Sequence, residues 1–111
     1  MDYTLRVINE QCGGSVRLDA EIETALERGK GRSAPRKIAL LWRAILLGHP
    51  FTDGNKRTAL TVALVICEAS RIPLTEKATD RLVEEIKRIA AEHIDDIVRI
   101  ERLIRYAVSQ N

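Results

Sequence analysis

One short stretch holds most of the reactive side chains of this sequence: His49-Pro50-Phe51-Thr52-Asp53-Gly54-Asn55-Lys56-Arg57. Its second half reads as the opening of a helix. The first amides of a helix have no partners inside it and lie at the positive end of its dipole. Gly54 lacks a side chain, so a phosphate can come close to the backbone there, beside Asn55. Arg57 can grip phosphate oxygens with two parallel hydrogen bonds, and Lys56 adds a compact positive charge. Asp53 is the sole carboxylate of the stretch. Magnesium binds through one or two carboxylates plus substrate phosphates, which makes Asp53 its expected ligand. His49 follows Gly48, the expected end of the preceding helix. Its unperturbed pKa near ~6.5 suits it to take a proton from an attacking hydroxyl. Phe51, an aromatic among polar positions, is expected to anchor the loop in the core.

Each of these residues also has an ordinary structural use. His49 can cap a helix C-terminus, Asp53 can cap an N-terminus, and Lys56 and Arg57 can form a solvated first turn. Their joint occurrence between the two most apolar stretches of the chain favours a nucleotide-phosphate site with a catalytic histidine.

The elements that position them are helical. Nothing alternates with period two for long enough to require a sheet, and the expected class is all-α. A short helix over the first ten or so residues would turn Tyr3, Leu5 and Ile8 inward. A second is expected from about Ala20 to Arg28, with Asp19 as N-cap, Ile22 and Leu26 inward and Gly29 just past its end. Pro35 suits the first turn of the next helix, capped by Ser33 or Ala34 and running to Leu47. That helix is apolar nearly all round, interrupted only by Arg43. Another such helix begins near Asn55 and continues to Ile72-Pro73. Helices apolar on every side are central ones, so these two predict an antiparallel hairpin at the middle of a compact bundle, turning over residues 48–54. Two amphipathic helices complete the chain. One spans about Lys77 to Glu92, with Leu82, Ile86, Ile89 and Ala90 inward. The other spans about Asp95 to Val108, with Ile97, Ile100, Ile104 and Ala107 inward.

Composition agrees with one globular domain over residues 1–111. The chain has 111 residues, 45% hydrophobic and 31% charged, and a domain of that size supports one core. The net charge of +2 argues weakly for nucleic acid, and the few aromatics exclude platforms that stack bases. Direct nucleic-acid binding is therefore not expected. Cys12 and Cys67 read as reduced thiols. The amino terminus lacks a signal-peptide pattern, and the longest apolar runs are too short to span a bilayer. A cytoplasmic protein is expected. Arg28, Lys30, Arg32, Arg36 and Lys37 form a basic cluster. A solvated loop and helix start account for it, and attraction of a nucleotide or an acidic partner is the alternative. His93 reads as a helix-end residue, and Trp42 and Cys67 as core.

The segment His49-Pro50-Phe51-Thr52-Asp53-Gly54-Asn55-Lys56-Arg57-Thr58-Ala59-Leu60 resembles the signature of the Fic/Doc superfamily, and specifically its Doc (death-on-curing toxin) branch. The likeness extends more weakly to the flanking apolar helices, to Gly13-Gly14 and to Glu21-Ile22-Glu23-Thr24-Ala25-Leu26. It implies a small helical bundle. The Fic branch transfers adenylyl groups from ATP to hydroxyl side chains. It has a second glycine at the position of Lys56 and a second arginine at that of Leu60, where they help hold the departing diphosphate. Both departures match the Doc branch, which transfers the γ-phosphoryl group.

Carried over by position, the resemblance makes His49 the base and Asp53 the magnesium ligand. Asn55, Lys56 and Arg57 become the phosphate grips, with Gly54 directly before them. It implies ATP and Mg2+, a protein substrate such as a translation elongation factor, and a separate antitoxin protein. No Ser/Thr-x-x-x-Glu-Gly/Asn inhibitory pattern occurs, so inhibition is expected from another chain. Against the family, the segment from Gly29 to Arg36, where a flap would pin the target's backbone, is very short. Adenylyl or other nucleotidyl transfer is the rival within the class, and a non-catalytic module that binds nucleotide or a partner is the rival outside it.

Overall fold

The computed structural model describes residues 20–48 and 54–109. Five helices run through them: α1 (Ala20–Gly29), α2 (Ala34–Gly48), α3 (Asn55–Ala69), α4 (Glu76–Glu92) and α5 (Ile97–Ser109). No strand occurs among the described residues, so the all-α expectation holds. The Cα radius of gyration is 12.6 Å, close to the ~13 Å of a folded domain of this length. Among the described residues, no helix is long and apolar enough to cross a membrane. The helix expected over the first ten residues and the Asp19 cap lie outside the described residues.

One helix, α2, is the axis of the bundle. Its apolar residues leave almost no polar face, and Ile38, Ala39, Leu40, Leu41, Trp42, Ala44, Ile45 and Leu46 are all buried. It packs against each of the other four helices. Ser33 starts it: the Ser33 carbonyl accepts from Lys37 N at 2.9 Å, and its hydroxyl accepts from Arg36 N at 3.4 Å. Pro35, which has no N–H to offer the ladder, sits harmlessly in the first turn.

Of the two helices of the central pair, α2 is covered on more sides than α3. Helix α3 packs on α2 and α4, and its Thr58, Ala59, Val62, Ala63 and Cys67 are buried while Val65 is 41% exposed. A continuous apolar sequence permits burial on all sides but does not compel it. The antiparallel hairpin itself holds. Trp42, six residues from the end of α2, donates its indole N–H to the Ala59 carbonyl, four residues into α3, at 2.8 Å.

Three helix ends also differ from expectation. Gly29 belongs to α1, and the left-handed residue after that helix is Gly31, at φ 73°. Gly29 instead packs closely on Lys37, whose Cγ would lie 3.4 Å from an added Cβ. Helix α3 stops at Ala69 rather than running to Ile72-Pro73. Arg71 takes a left-handed φ of 58°, its N–H bonds the Glu68 carbonyl, and Ile72 N–H bonds the Cys67 carbonyl. This pair of bonds closes the helix, and Pro73 disfavours helical backbone at the residue before it. Helix α5 begins at Ile97, two residues later than expected, because the Asp96 side chain caps it by accepting from Val98 N at 3.0 Å.

The amphipathic helices follow their pattern. Leu82, Ile86 and Ile89 of α4 are buried, as are Ile100, Ile104 and Ala107 of α5, while Ala90 and Ile97 are half-buried. Thr75 caps α4 by accepting from Ala78 N at 3.0 Å. His93 ends α4 in a left-handed conformation, φ 50°, as a helix-end residue should.

Candidate functional site

Gly54 opens α3 at φ 71° and ψ 21°, a left-handed conformation that disfavours any residue with a Cβ. It is buried, and its carbonyl accepts from Thr58 N at 2.8 Å. That bond is the first rung of the helical ladder, so Asn55, Lys56 and Arg57 form the first turn, where the dipole is positive. Lys56 and Arg57 are exposed and Asn55 is half-buried. Their exposure follows from the pitch: Thr58, Ala59, Val62 and Ala63 take the inward face, which leaves positions 56 and 57 outward.

The rest of the first turns serves to fix this end in place. Thr58 and Ala59 are fully buried. The Trp42 bond to the Ala59 carbonyl ties the next turn of α3 to the axis helix. The Thr61 hydroxyl donates to the Arg57 carbonyl at 3.0 Å. Leu60, one turn after Lys56, is half-buried and packs against the core. The two cations therefore stand on a turn whose inward neighbours are locked by packing.

At the other side of the hairpin α2 ends on Gly48, directly before His49 in sequence. The Glu21 carboxylate of α1 lies over Gly48, so that a Cβ there would land on it. This contact brings α1 to the same end of the bundle as the opening of α3. It was not anticipated from sequence, because only the packing of two distant segments creates it. Arg43, taken above as a mere interruption of an apolar helix, faces the α1–α2 groove together with Arg28.

Of the expected site residues, the structure thus describes Gly54, Asn55, Lys56 and Arg57. His49, Phe51 and Asp53 lie outside the described residues. The exposed Lys56 and Arg57 beside a left-handed glycine at a helix start fit the phosphates of a nucleotide. Among the described residues, no three or more His, Cys, Asp or Glu side chains cluster to hold a metal ion. A magnesium ion shared between one carboxylate and substrate phosphates needs no such cluster.

The sequence model of the Fic/DOC family matches residues 12–67, just over half of the chain. The chain belongs to the Fic/DOC family. Proteins of this family are generally transferases of adenylyl or phosphoryl groups that work with ATP and Mg2+. The matched span runs from before α1 through most of α3, and so includes the axis helix and the turn carrying Lys56 and Arg57. No curated protein and no solved structure matches the chain.

Cys67, at the far end of the match, is 1% exposed, and burial pushes its thiol pKa up. A thiol held protonated is a poor nucleophile, which leaves Cys67 as a core residue.

Proposed function

We propose that this Fic/DOC protein is a Doc-type kinase that transfers the γ-phosphoryl group of ATP to a Ser or Thr hydroxyl of a protein target. By resemblance to the Doc branch, the target is a translation factor. On the same ground, the chain, a single domain over residues 1–111, works in the cytoplasm as the toxin of a pair silenced by a separate antitoxin.

The observation that carries the kinase reading is the pairing of positions 56 and 60. Lys56 stands exposed on the first turn of α3, where the adenylylating branch has glycine. Leu60, where that branch has its second arginine, is packed against the core. The cradle for a departing diphosphate therefore lacks a cation at position 60.

Phosphoryl transfer asks for positioning and charge stabilisation more than for covalent chemistry by the protein. His49 would accept the proton of the target hydroxyl as its oxygen bonds to the γ-phosphorus. The bond from that phosphorus to the bridging oxygen then breaks, and the products are a phosphoester and ADP. Lys56, Arg57 and the first turn of α3 would hold the phosphate oxygens and oppose the charge that develops on them. Asp53 would hold magnesium, which neutralises phosphate charge.

Intact-mass spectrometry of a modified target tests the reading. The expected gain is one phosphate, absent with the His49→Ala protein. A gain of one nucleotide monophosphate overturns phosphoryl transfer in favour of nucleotidyl transfer.

A further inference from the structure

Four arginines converge on one hollow beside the axis helix. It has a volume of about 400 Å³ and is lined by Arg28, Arg32, Arg36 and Arg43 with Leu40 and Ile97. No carboxylate appears among these lining residues. Arg36 is paired with Glu101 at 2.6 Å, but Arg105 takes the same carboxylate at 2.9 Å. Arg28, Arg32 and Arg43 make no ion pair among the described residues. Arg28 and Arg32 are exposed. Gathering four guanidinium groups around a single paired carboxylate raises the local positive potential and draws anionic partners.

The hollow does not stand alone. Through Arg28, Leu40 and Arg43 it continues into a second one of about 430 Å³ along α1 and α2, which reaches Glu21, Leu47 and Gly48. The two form a single track that begins at the α1–α2 turn and stops one residue before His49. Along α2, Arg36 and Gly48 are separated by ~18 Å at the rise of a helix. An extended peptide covers that distance with about five or six residues.

The lining indicates what lies in it. A polynucleotide would want bases stacked on aromatic rings, and none of the described residues lining either hollow is aromatic. A uniformly anionic polymer would also meet Glu21 at the Gly48 end. A peptide with carboxylates at one end and an uncharged hydroxyl at the other matches the track throughout. Its aliphatic atoms would rest on Leu40 and Ile97. Arginine forks suit carboxylates because they pair with them bidentately.

We propose that this track docks an acidic segment of the protein substrate. The carboxylates lie on Arg28, Arg32, Arg36 and Arg43, and the accepting Ser or Thr lies at the Glu21–Gly48 end. Placing that residue as the acceptor rests on the phosphoryl-transfer reading. Docking to the arginines does not. With only four residues between α1 and α2 to reach over a substrate, the track supplies alignment that a longer flap would otherwise give. Acidic residues are expected from about two to about six positions from the acceptor, the spacings of Arg43 and Arg36 from Gly48.

Fluorescence anisotropy with the His49→Ala chain tests docking apart from catalysis. The probes are a short labelled peptide with one threonine and a run of glutamates at that spacing, its lysine-for-glutamate counterpart, and a single-stranded RNA of similar length. The glutamate peptide should bind, more weakly as salt rises, and the lysine peptide should not. Arg28→Glu combined with Arg32→Glu should weaken binding by roughly tenfold or more, with an unchanged thermal transition. Arg43→Gln, a milder change, should weaken it less.

Failure of the glutamate peptide to bind, or equal binding by the doubly reversed chain, overturns the proposal. So does tighter binding of the RNA through the same arginines. Transfer from ATP, followed separately with the unmodified chain, reports on the kinase reading and leaves these outcomes unaffected.

Discussion

Replacing Gly54 with alanine tests whether the opening of α3 is built as described. The residue sits at φ 71° and ψ 21°, where an L-residue with a Cβ costs about 1–2 kcal/mol relative to the right-handed region. Gly54 is also buried, so the added methyl has no solvent to move into and the strain is not relieved by simple exposure. Unfolding a chain of this length carries an entropy such that 1–2 kcal/mol lowers the melting temperature by roughly 4–8 °C. Thermal unfolding followed by circular dichroism at 222 nm reads the shift. Asparagine tolerates left-handed backbone better than alanine does, so Gly54→Asn should recover part of the loss. An alanine variant that melts at or above the parent temperature would refute the reasoning, because α3 would then begin without a left-handed residue. If the same glycine also admits a phosphate, Gly54→Ala should weaken nucleotide binding at temperatures where the variant is fully folded.

Trp42→Phe should cost roughly 1–3 kcal/mol in chemical denaturation, since it removes a buried hydrogen bond to the Ala59 carbonyl and leaves unfilled volume. Arg57→Ala should lower the transfer rate by on the order of a hundredfold or more in a single-turnover assay, comparable to losing one oxyanion donor. Lys56→Gly should lose phosphoryl transfer without gaining efficient adenylyl transfer, read by the mass added to the target; a fully active kinase would make Lys56 a solvated surface residue. Cys67, protonated by burial, should resist iodoacetamide in the native chain and react on unfolding, as resolved by peptide mapping. Its native pKa lies above its unfolded one, so the stability it contributes is present at neutral pH. That contribution falls as the pH rises past the ordinary thiol range, a loss visible in denaturation midpoints.

The bundle was largely legible because its helices are long, periodic and punctuated. The all-apolar run of α2 marked the axis, and the spacing of Leu82, Ile86 and Ile89 marked the inner face of α4. The same signal overstated the burial of α3, whose outward Val65 satisfies an apolar pattern without being covered. The end of α3 was harder to place. Arg71 closes it in a left-handed conformation, and nothing in its side chain announces this. Lys56 and Arg57 were legible as a first-turn pair because the glycine and the apolar run behind them fix the helix phase. The contact of Glu21 with Gly48 was not legible, since it joins segments far apart in sequence. The arginine track was half-written: Arg36, Leu40 and Arg43 recur at the i, i+4, i+7 spacing of one helix face. Only the packing of α1 on α2 adds Arg28 to that face.

The central claim is that the stretch from His49 to Arg57 moves the γ-phosphoryl group of ATP onto a protein hydroxyl. Incubating the chain and its His49→Ala variant with cell extract and ATP labelled at either the α or the γ phosphate tests it most directly. The account predicts a protein labelled from the γ position alone by the unmodified chain, and no labelled protein with the variant, which still binds nucleotide. Label arriving from the α position, or γ-label transferred equally well without His49, would contradict it.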